Sequence, residues 1–444
     1  MTAISPSRYD EITIESSDGK GTTVDLRLGV SSFLYYEDIL SPIITAKLVV
    51  VSAAGVVSPS DENDVKESLY NGLPIRGGER VSIKIAGNSE NNAGLEFDSP
   101  ETYFYVSKVS NVIRDGQKEI FVLNLVSREA LTNEMTHVTR KFSKDTPVSD
   151  NVKDILKNDL KIKPRRYKRN IDRTSNKLGF IGNLKKPFKI LVWLASKSTS
   201  SSKDAIAGYF FYQTKQGFHF KSIDTLISDG VKNPVATYTH KQATDKLKER
   251  SDFNILSYSI RRNNDLVKKL IIGQYSSFTV SFDPYTGAFS KVQDGIFSLD
   301  DAVVKNKLKN LGDLTNVPKI VSESGEKLTQ LPSRIISLVK DVGTLDKKAT
   351  VEENSSADLY QKQSLLRYNL LFQQMVYLAV PLNTEISVGN VIELKFIGTP
   401  EGEDYDRQQS GFYLIKELCH SFDPERSITS MTVIRDTYGQ FTKD

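Results

Sequence analysis

The chain has 444 residues, 39% hydrophobic and 26% charged, with a mean hydropathy of -0.34; this excludes a membrane-embedded protein and a largely disordered one. At about 150 residues per domain, the length suggests roughly three domains. The 59 Lys and Arg against 55 Asp and Glu give +4, too weak an excess to imply nucleic-acid binding. The single cysteine, Cys419, excludes an internal disulfide and a cysteine-rich zinc site. The start, MTAISPSRYDEI, lacks the basic and apolar segments of a signal peptide. The best spanning candidate, Ile43 to Val57, is broken by Lys47 and Ser52 and is too short for a bilayer. No membrane insertion is expected.

From about Tyr9 to Arg128 the pattern is β. Ile12 and Ile14 alternate with polar residues, as do Val24, Leu26 and Leu28. Ile39-Leu40-Ser41-Pro42 leads into the β-branched run Ile44 to Val51. Val81, Ile83 and Ile85 alternate, and so does Tyr103 to Val109. Arg114-Asp115-Gly116-Gln117 predicts a hairpin turn before the strand Ile120 to Val126. Between about Glu129 and Lys203 the period changes. Val152, Ile155, Leu156 and Leu160 after Pro147 predict a helix, and Pro187 to Ala195 a second one. A Ser-rich loop, Ser196 to Ser202, follows.

Gly208 to Ile223 predicts a hairpin turning at Lys215-Gln216-Gly217. Asp245 to Phe253 is expected to be helical; Ile255 to Ile260 and Leu270 to Phe282 are expected strands, with a turn at Asp283 to Gly287. The segment 289–353 reads as mixed. Ala357 to Tyr368 predicts a helix, and Leu370 to Phe441 returns to β.

The two β portions resemble each other. Gly78-Glu79-Arg80-Val81-Ser82-Ile83-Lys84-Ile85 aligns with Gly389-Asn390-Val391-Ile392-Glu393-Leu394-Lys395-Phe396, and Phe104-Tyr105-Val106-Ser107-Lys108-Val109 with Phe412-Tyr413-Leu414-Ile415-Lys416-Glu417. An acidic loop lies between these blocks in both copies: one carries Glu96, Asp98 and Glu101, the other Glu401, Glu403, Asp404 and Asp406. Any two β-meanders share alternation, but here order, spacing and the closing arginines Arg128 and Arg435 also agree. The expected fold class is a β-rich α+β chain of two related antiparallel β-barrels with inserted mixed α/β segments. The first barrel spans 1–128, the insertion 129–204 and 240–356, and the second, split barrel 205–239 and 357–444. Three such chains would make a ring of six similar units, able to meet a six-fold ring on one side and a three-fold object on the other.

Chemistry-bearing motifs are absent. His137, His219, His240 and His420 are scattered, no HExxH pair occurs, and there is no phosphate-binding glycine loop or nucleophile elbow. No catalytic residue, cofactor or metal is expected. Two charged stretches are candidate surfaces. The run Lys161 to Arg173 holds Lys161, Lys163, Arg165, Arg166, Lys168 and Arg169, and reads as a contact with a neighbouring protein, as a solvated loop, or as a phosphate contact. The acidic loops are expected at one rim or in the lumen of the ring. The 401–406 stretch lacks the ligand spacing of a calcium loop.

Several phrases resemble the baseplate hub protein of contractile-tailed bacteriophages of the T4 type, related to the N-terminal region of type VI secretion VgrG. They are Phe33 to Pro42 with the strand after it, Leu73-Pro74-Ile75-Arg76-Gly77-Gly78-Glu79, Lys186-Pro187-Phe188 with Trp193-Leu194-Ala195, Gly208 to Thr214, and Arg435-Asp436-Thr437-Tyr438-Gly439. The resemblance implies a structural, non-enzymatic homotrimer in the virion's tail baseplate, assembled in the host cytoplasm. It would join the tail tube or its initiator proteins to a central spike, with DNA only in passage through its channel; a tape-measure protein is a further candidate partner. Since the chain ends at Asp444, the spike is expected to be a separate polypeptide. The rival readings are a tail-associated cell-wall hydrolase and a receptor- or carbohydrate-binding module.

Overall fold

The computed structural model describes residues 3–17, 19, 21–53, 73, 75–89, 92–115, 118–201, 207–240, 252–262, 265–290, 296–304, 308–312, 323, 325–342, 357–397 and 405–437. Their organising feature is one 14-stranded sheet built from the two ends of the chain. The first end supplies β1 (Tyr9–Glu15), β2 (Thr23–Asp25), β3 (Val30–Asp38), β4 (Thr45–Ala53), β5 (Arg80–Ser89), β6 (Asn92–Phe97), β7 (Phe104–Asp115) and β8 (Lys118–Ser127). Alternation puts Phe33, Tyr35, Ala46, Leu48, Phe121, Leu123 and Leu125 on the buried face. The stretch expected as an acidic loop after β5 carries a strand of its own: Glu96 of β6 lies opposite Lys84 of β5. Its alternating Leu95 and Phe97 are buried, which overrides the polar composition.

The helices lie mainly in the middle of the chain. α1 spans Arg128–Met135, α2 Val148–Asn158 and α3 Pro187–Ser196, with two short strands, β9 (Lys141–Phe142) and β10 (Phe180–Ile181), paired beside them. Val148, Val152, Ile155 and Leu156 give α2 one buried stripe. Pro187 opens α3, where a missing N–H costs nothing, and Asn133 Oδ1 accepts the buried Phe188 amide at 2.8 Å. Trp193 is half-buried, edge-on to Phe180, with Lys197 over its ring.

The predicted hairpin forms as β11 (Tyr209–Thr214) and β12 (Gly217–Ser222). It was expected to lead the second barrel. In the structure its two strands form a sheet of their own, with one parallel bridge from Phe220 to Ile171. Every residue of β11 is buried, because the hairpin lies between two cores: Phe210 and Tyr212 face the large sheet, Tyr209 and Phe211 the helices. The strands that join the sheet are β13 (Thr237–Thr239) and β14 (Ser257–Arg262). Between the hairpin and β13 lies α4 (Ile223–Lys232), capped by Ser222, which accepts the Thr225 amide.

The expected strand 270–282 starts later. Leu270 and Ile271 close a short helix, α5 (Leu266–Ile271), capped by Asp265, and β15 begins at Ser276 (Ser276–Phe282). With β16 (Ile296–Ser298) and β17 (Arg334–Val339) it forms a separate three-stranded sheet. A third small core gathers α6 (Leu299–Val304) and α7 (Ala357–Leu371) near that sheet through Leu299, Ala302, Leu366 and Leu370. The expected helix at 245–253 falls mostly outside the described residues. Strands β18 (Gln374–Pro381), β19 (Val391–Lys395), β20 (Gly411–Phe422) and β21 (Ser427–Arg435) complete the large sheet.

The repeat seen in sequence is present in the strand order, but the second aligned block slips by one residue: the pairing matches Phe104 with Tyr413 and Val106 with Ile415. The first end runs β3-β4-β8-β7-β5 and the second β14-β18-β21-β20-β19, the same five-strand order. The turns match as well. Gly78, at φ +90°, donates to Val106 O at 2.7 Å, and Gly389, at φ +83°, to Ile415 O at 2.9 Å. Glu79 Oε1 accepts the Arg76 amide and Asn390 Oδ1 the Ser387 amide, each at 2.8 Å. Register shifts fall at Val106/Lys108 in β7 and Ile415/Glu417 in β20. The flanks differ: β1 lies antiparallel on β5, β13 parallel on β19.

Arg367 of α7 is fully buried between Asp436 at 2.9 Å, just past β21, and Asp224 of α4 at 3.0 Å. Burial pushes the Asp224 pKa up, against the nearby guanidinium that pulls it down. Arg367→Leu leaves two carboxylates without their cation. It is expected to destabilise the chain by about 3–5 kcal/mol, measured by denaturant unfolding.

Candidate functional site

The two five-strand modules meet where β20 lies antiparallel on β3, from Glu417 opposite Asp38 to Phe422 opposite Phe33. On the buried face Phe33 and Phe422 sit 6.0 Å apart, and Tyr35 stacks on His420 at 5.9 Å. Such directly opposed rings stabilise a strand pair beyond the area they bury. Beside them Glu37 is buried, with its carboxylate accepting the Tyr35 hydroxyl at 2.7 Å, the Lys215 amide at 3.0 Å and the Val388 amide at 3.0 Å. One side chain thus ties the first module, the β11–β12 turn and the second module. Burial raises the Glu37 pKa, while these three donors hold it down.

On the opposite face the sheet is concave. A trough of about 800 Å³ runs across β14, β18, β21, β20, β3 and β4, lined by Tyr36, Lys47, Tyr377, Glu417 and Cys419 among others. Its charges are partnered locally. Lys47 lies over the Tyr36 ring, Arg261 over Tyr377, and Lys416 reaches Asp38 and Glu417. Burial pushes the Cys419 thiol up to about 11, so it is protonated at neutral pH. His219 and His420 are pushed down to about 3 by burial and each bonds a threonine hydroxyl at 2.9 Å. They are neutral at physiological pH. Among the described residues, no three metal-ligating side chains cluster, and no helix is long and apolar enough to cross a membrane. The arrangement joins strands and balances charge.

The two charged stretches singled out in the sequence come together. Glu101, in the turn before β7, meets Lys163 and Arg165, the latter at 2.6 Å. Arg166 turns inward, donating to Glu129 of α1 at 2.6 Å and to the Glu101 carbonyl. Pro164–Arg166 form a 3-10 turn, which spaces the three basic side chains toward one acidic neighbourhood. Lys161, Lys168 and Arg169 are exposed. Glu96 pairs with Lys84 at 3.2 Å, and Asp98 lies 4.0 Å from the same ammonium. Asp406 caps its own turn by accepting the Gln408 and Gln409 amides. Glu401, Glu403 and Asp404 lie outside the described residues.

Sequence reading missed Glu37, Glu129 and Arg367. Glu37 had a signal: it continues the alternation of Phe33 and Tyr35, so the pattern places a carboxylate on the buried face. Glu129 and Arg367 had none, since their partners lie 37 residues away in one case and 69 and 143 in the other.

No protein-family model matches the chain, and neither does any curated protein sequence. Solved structures do match its fold. A tail protein from Neisseria meningitidis MC58 superposes with a TM-score of 0.52 at 12% identity, over 97% of this chain and 97% of that one. The 43 kDa tail protein of prophage MuSo2 from Shewanella oneidensis gives 0.51 at 10% identity, over 96% and 98%. At these identities the likeness is one of fold, and it extends over nearly the whole chain.

Two outcomes test the charged cluster. Arg166→Ala leaves Glu129 buried without its cation and is expected to cost about 3–5 kcal/mol in chemical unfolding. The Glu101 carboxyl is held below its ordinary value of 4.5, first by the Lys163 hydrogen bond and also by Arg165. A lowered folded-state pKa contributes stability that is fully present above the unfolded value and is lost as the pH falls through the folded one. Melting of the wild type and Glu101→Gln should therefore differ at neutral pH and converge in acid, and the neutral-pH difference should shrink in high salt.

Proposed function

We propose that this chain is the structural hub of a contractile phage-type baseplate. It acts as a homotrimer whose six related modules form a pseudo-six-fold ring. The observation that carries the reading is the twin five-strand order of the two modules joined in one sheet. A chain that contains the same unit twice lets three copies present six similar surfaces while keeping true three-fold symmetry. The full-length fold likeness to two tail proteins supports the same class.

On this reading each module corresponds to one tail-tube-like antiparallel barrel. The first is built within 1–128, and the second from β13, β14 and β18 to β21, with the helical core and the three-stranded sheet as insertions. The six-fold side meets the tail tube or its initiator, the three-fold side a central spike, and the ring encloses a channel for DNA. The concave trough, with its charges paired, is the face we assign to that channel. The reading requires no catalytic residue. Light scattering of the purified chain, alone and with a spike protein, should give three times 49.8 kDa. A single-chain mass under every condition would reject it.

A further inference from the structure

We propose that the helical insertion carries a docking surface for a different protein, where the turn after β10 meets α3, and that its occupant is an apolar segment bordered by Asp or Glu. This goes beyond the hub reading and does not rest on it. Three segments build the surface. Ile181 of β10 lies opposite Lys141 of β9, and the chain then turns through Gly182, Asn183 and Leu184 until Lys185 bridges Val138. The Leu184 amide donates to Val138 O and the Lys185 amide to Gly182 O, each at 3.0 Å, which closes the turn. Beside it Lys186 reaches Glu134 near the end of α1, and the Lys185 ammonium lies 6.0 Å from the Trp193 ring of α3. Around this turn apolar side chains face solvent: Met135 is 76% exposed, Leu184 67%, Ile181 54% and Val192 44%. A single exposed apolar residue needs no explanation, but several gathered about one half-buried Trp mark an interaction surface.

The backbone gives independent support. Asn183 and Leu184 both have positive φ, +49° and +57°. A turn with positive φ at both central residues favours Asn followed by Gly, and a leucine in the second place is strained. Gly182 before it leaves no room for a side chain against Val138. Leu184 belongs to none of the three cores among the described residues. The chain thus gives up stability to hold a large apolar side chain in water. Strain of that kind persists where the strained group has a use.

Charge selects the occupant. Lys185 and Lys189 are exposed and make no ion pair among the described residues. Lys189 stands one helical turn before Val192 on α3, so it borders the apolar patch. The nearby acid, Glu134, is taken by Lys186. The surface therefore offers uncompensated positive charge around an apolar centre. Its complement is a segment with large apolar side chains beside carboxylates. Nucleic acid would use the lysines and leave Met135, Ile181, Leu184 and Val192 in water.

The test pans the purified full-length chain against a random-peptide display library and measures the enriched peptides on wild type and variants. The expected peptides carry large apolar residues next to Asp or Glu. They should lose about tenfold in affinity against the double variant Lys185→Glu with Lys189→Glu, and the loss should shrink in high salt. Leu184→Gly is the decisive variant, because it removes the anchor and the strain together. It should bind about tenfold more weakly yet melt roughly 2 °C higher than the wild type. Val192→Asp, at an exposed site on α3, should weaken binding with melting unchanged. No enrichment, equal binding by all variants, or a lower melting temperature for Leu184→Gly would overturn the surface. Enriched peptides without acidic residues would overturn the choice of occupant. So would binding of wild type, but not Leu184→Gly, to phosphatidylserine vesicles in place of peptides, or a change of oligomer mass in Leu184→Gly; these would assign the surface to a membrane or to a second copy.

Discussion

The strand pair β20–β3 is the constraint on which the rest of the molecule depends. It fuses the two ends of a long chain into one sheet, so the first module and the last share a hydrophobic core. Its stability comes from three kinds of contact acting together. The backbone ladder runs from Glu417 to Phe422. Two opposed aromatic pairs cover its buried face. Glu37 satisfies two backbone amides from outside the ladder while itself fully desolvated. A buried carboxylate is tolerated only when its oxygens are filled, and here they accept three hydrogen bonds. The same group therefore fixes how the β11–β12 turn and the turn before β19 meet the first module.

The inserted parts are fastened to this sheet by buried charge as well as by apolar contact. Arg367 and Arg166 each cross from one segment to carboxylates far away in sequence. Such pairs contribute little net stability, because desolvation offsets their attraction, but removing one partner is costly. Their geometry makes them positional pins: Arg367 fixes α7 against α4 and the end of β21, and Arg166 fixes the loop after α2 against α1. The β11–β12 hairpin does the same with rings, burying one face in each of two cores.

Much of the local structure was legible. Strands β4, β7, β8 and β20, the proline-opened helices α2 and α3, and the paired glycine turns at Gly78 and Gly389 follow from alternation, spacing and turn residues. Boundaries drifted where an apolar run had no punctuation, as at Leu270 and Ile271, which close a helix instead of opening a strand. The β11–β12 hairpin was recognised, but its place was not, because two-sided apolar patterning tells how many faces are covered and not by what. The basic run was read as a surface. Its three members in the 163–166 turn are taken up by Glu101 and Glu129, and no spacing in the chain announces that encounter.

The sequence by itself determined the β-rich class and the doubled order of strands, because periodicity and turn chemistry are local properties of the chain. Only the tertiary structure decided that the modules share a sheet, that β14 pairs into it, and that the β11–β12 hairpin forms a sheet of its own. Those facts concern which backbone edges find each other. Any strand offers the same N–H and C=O groups to any other, so the choice is made by how the buried faces pack and not by residues the chain displays in order.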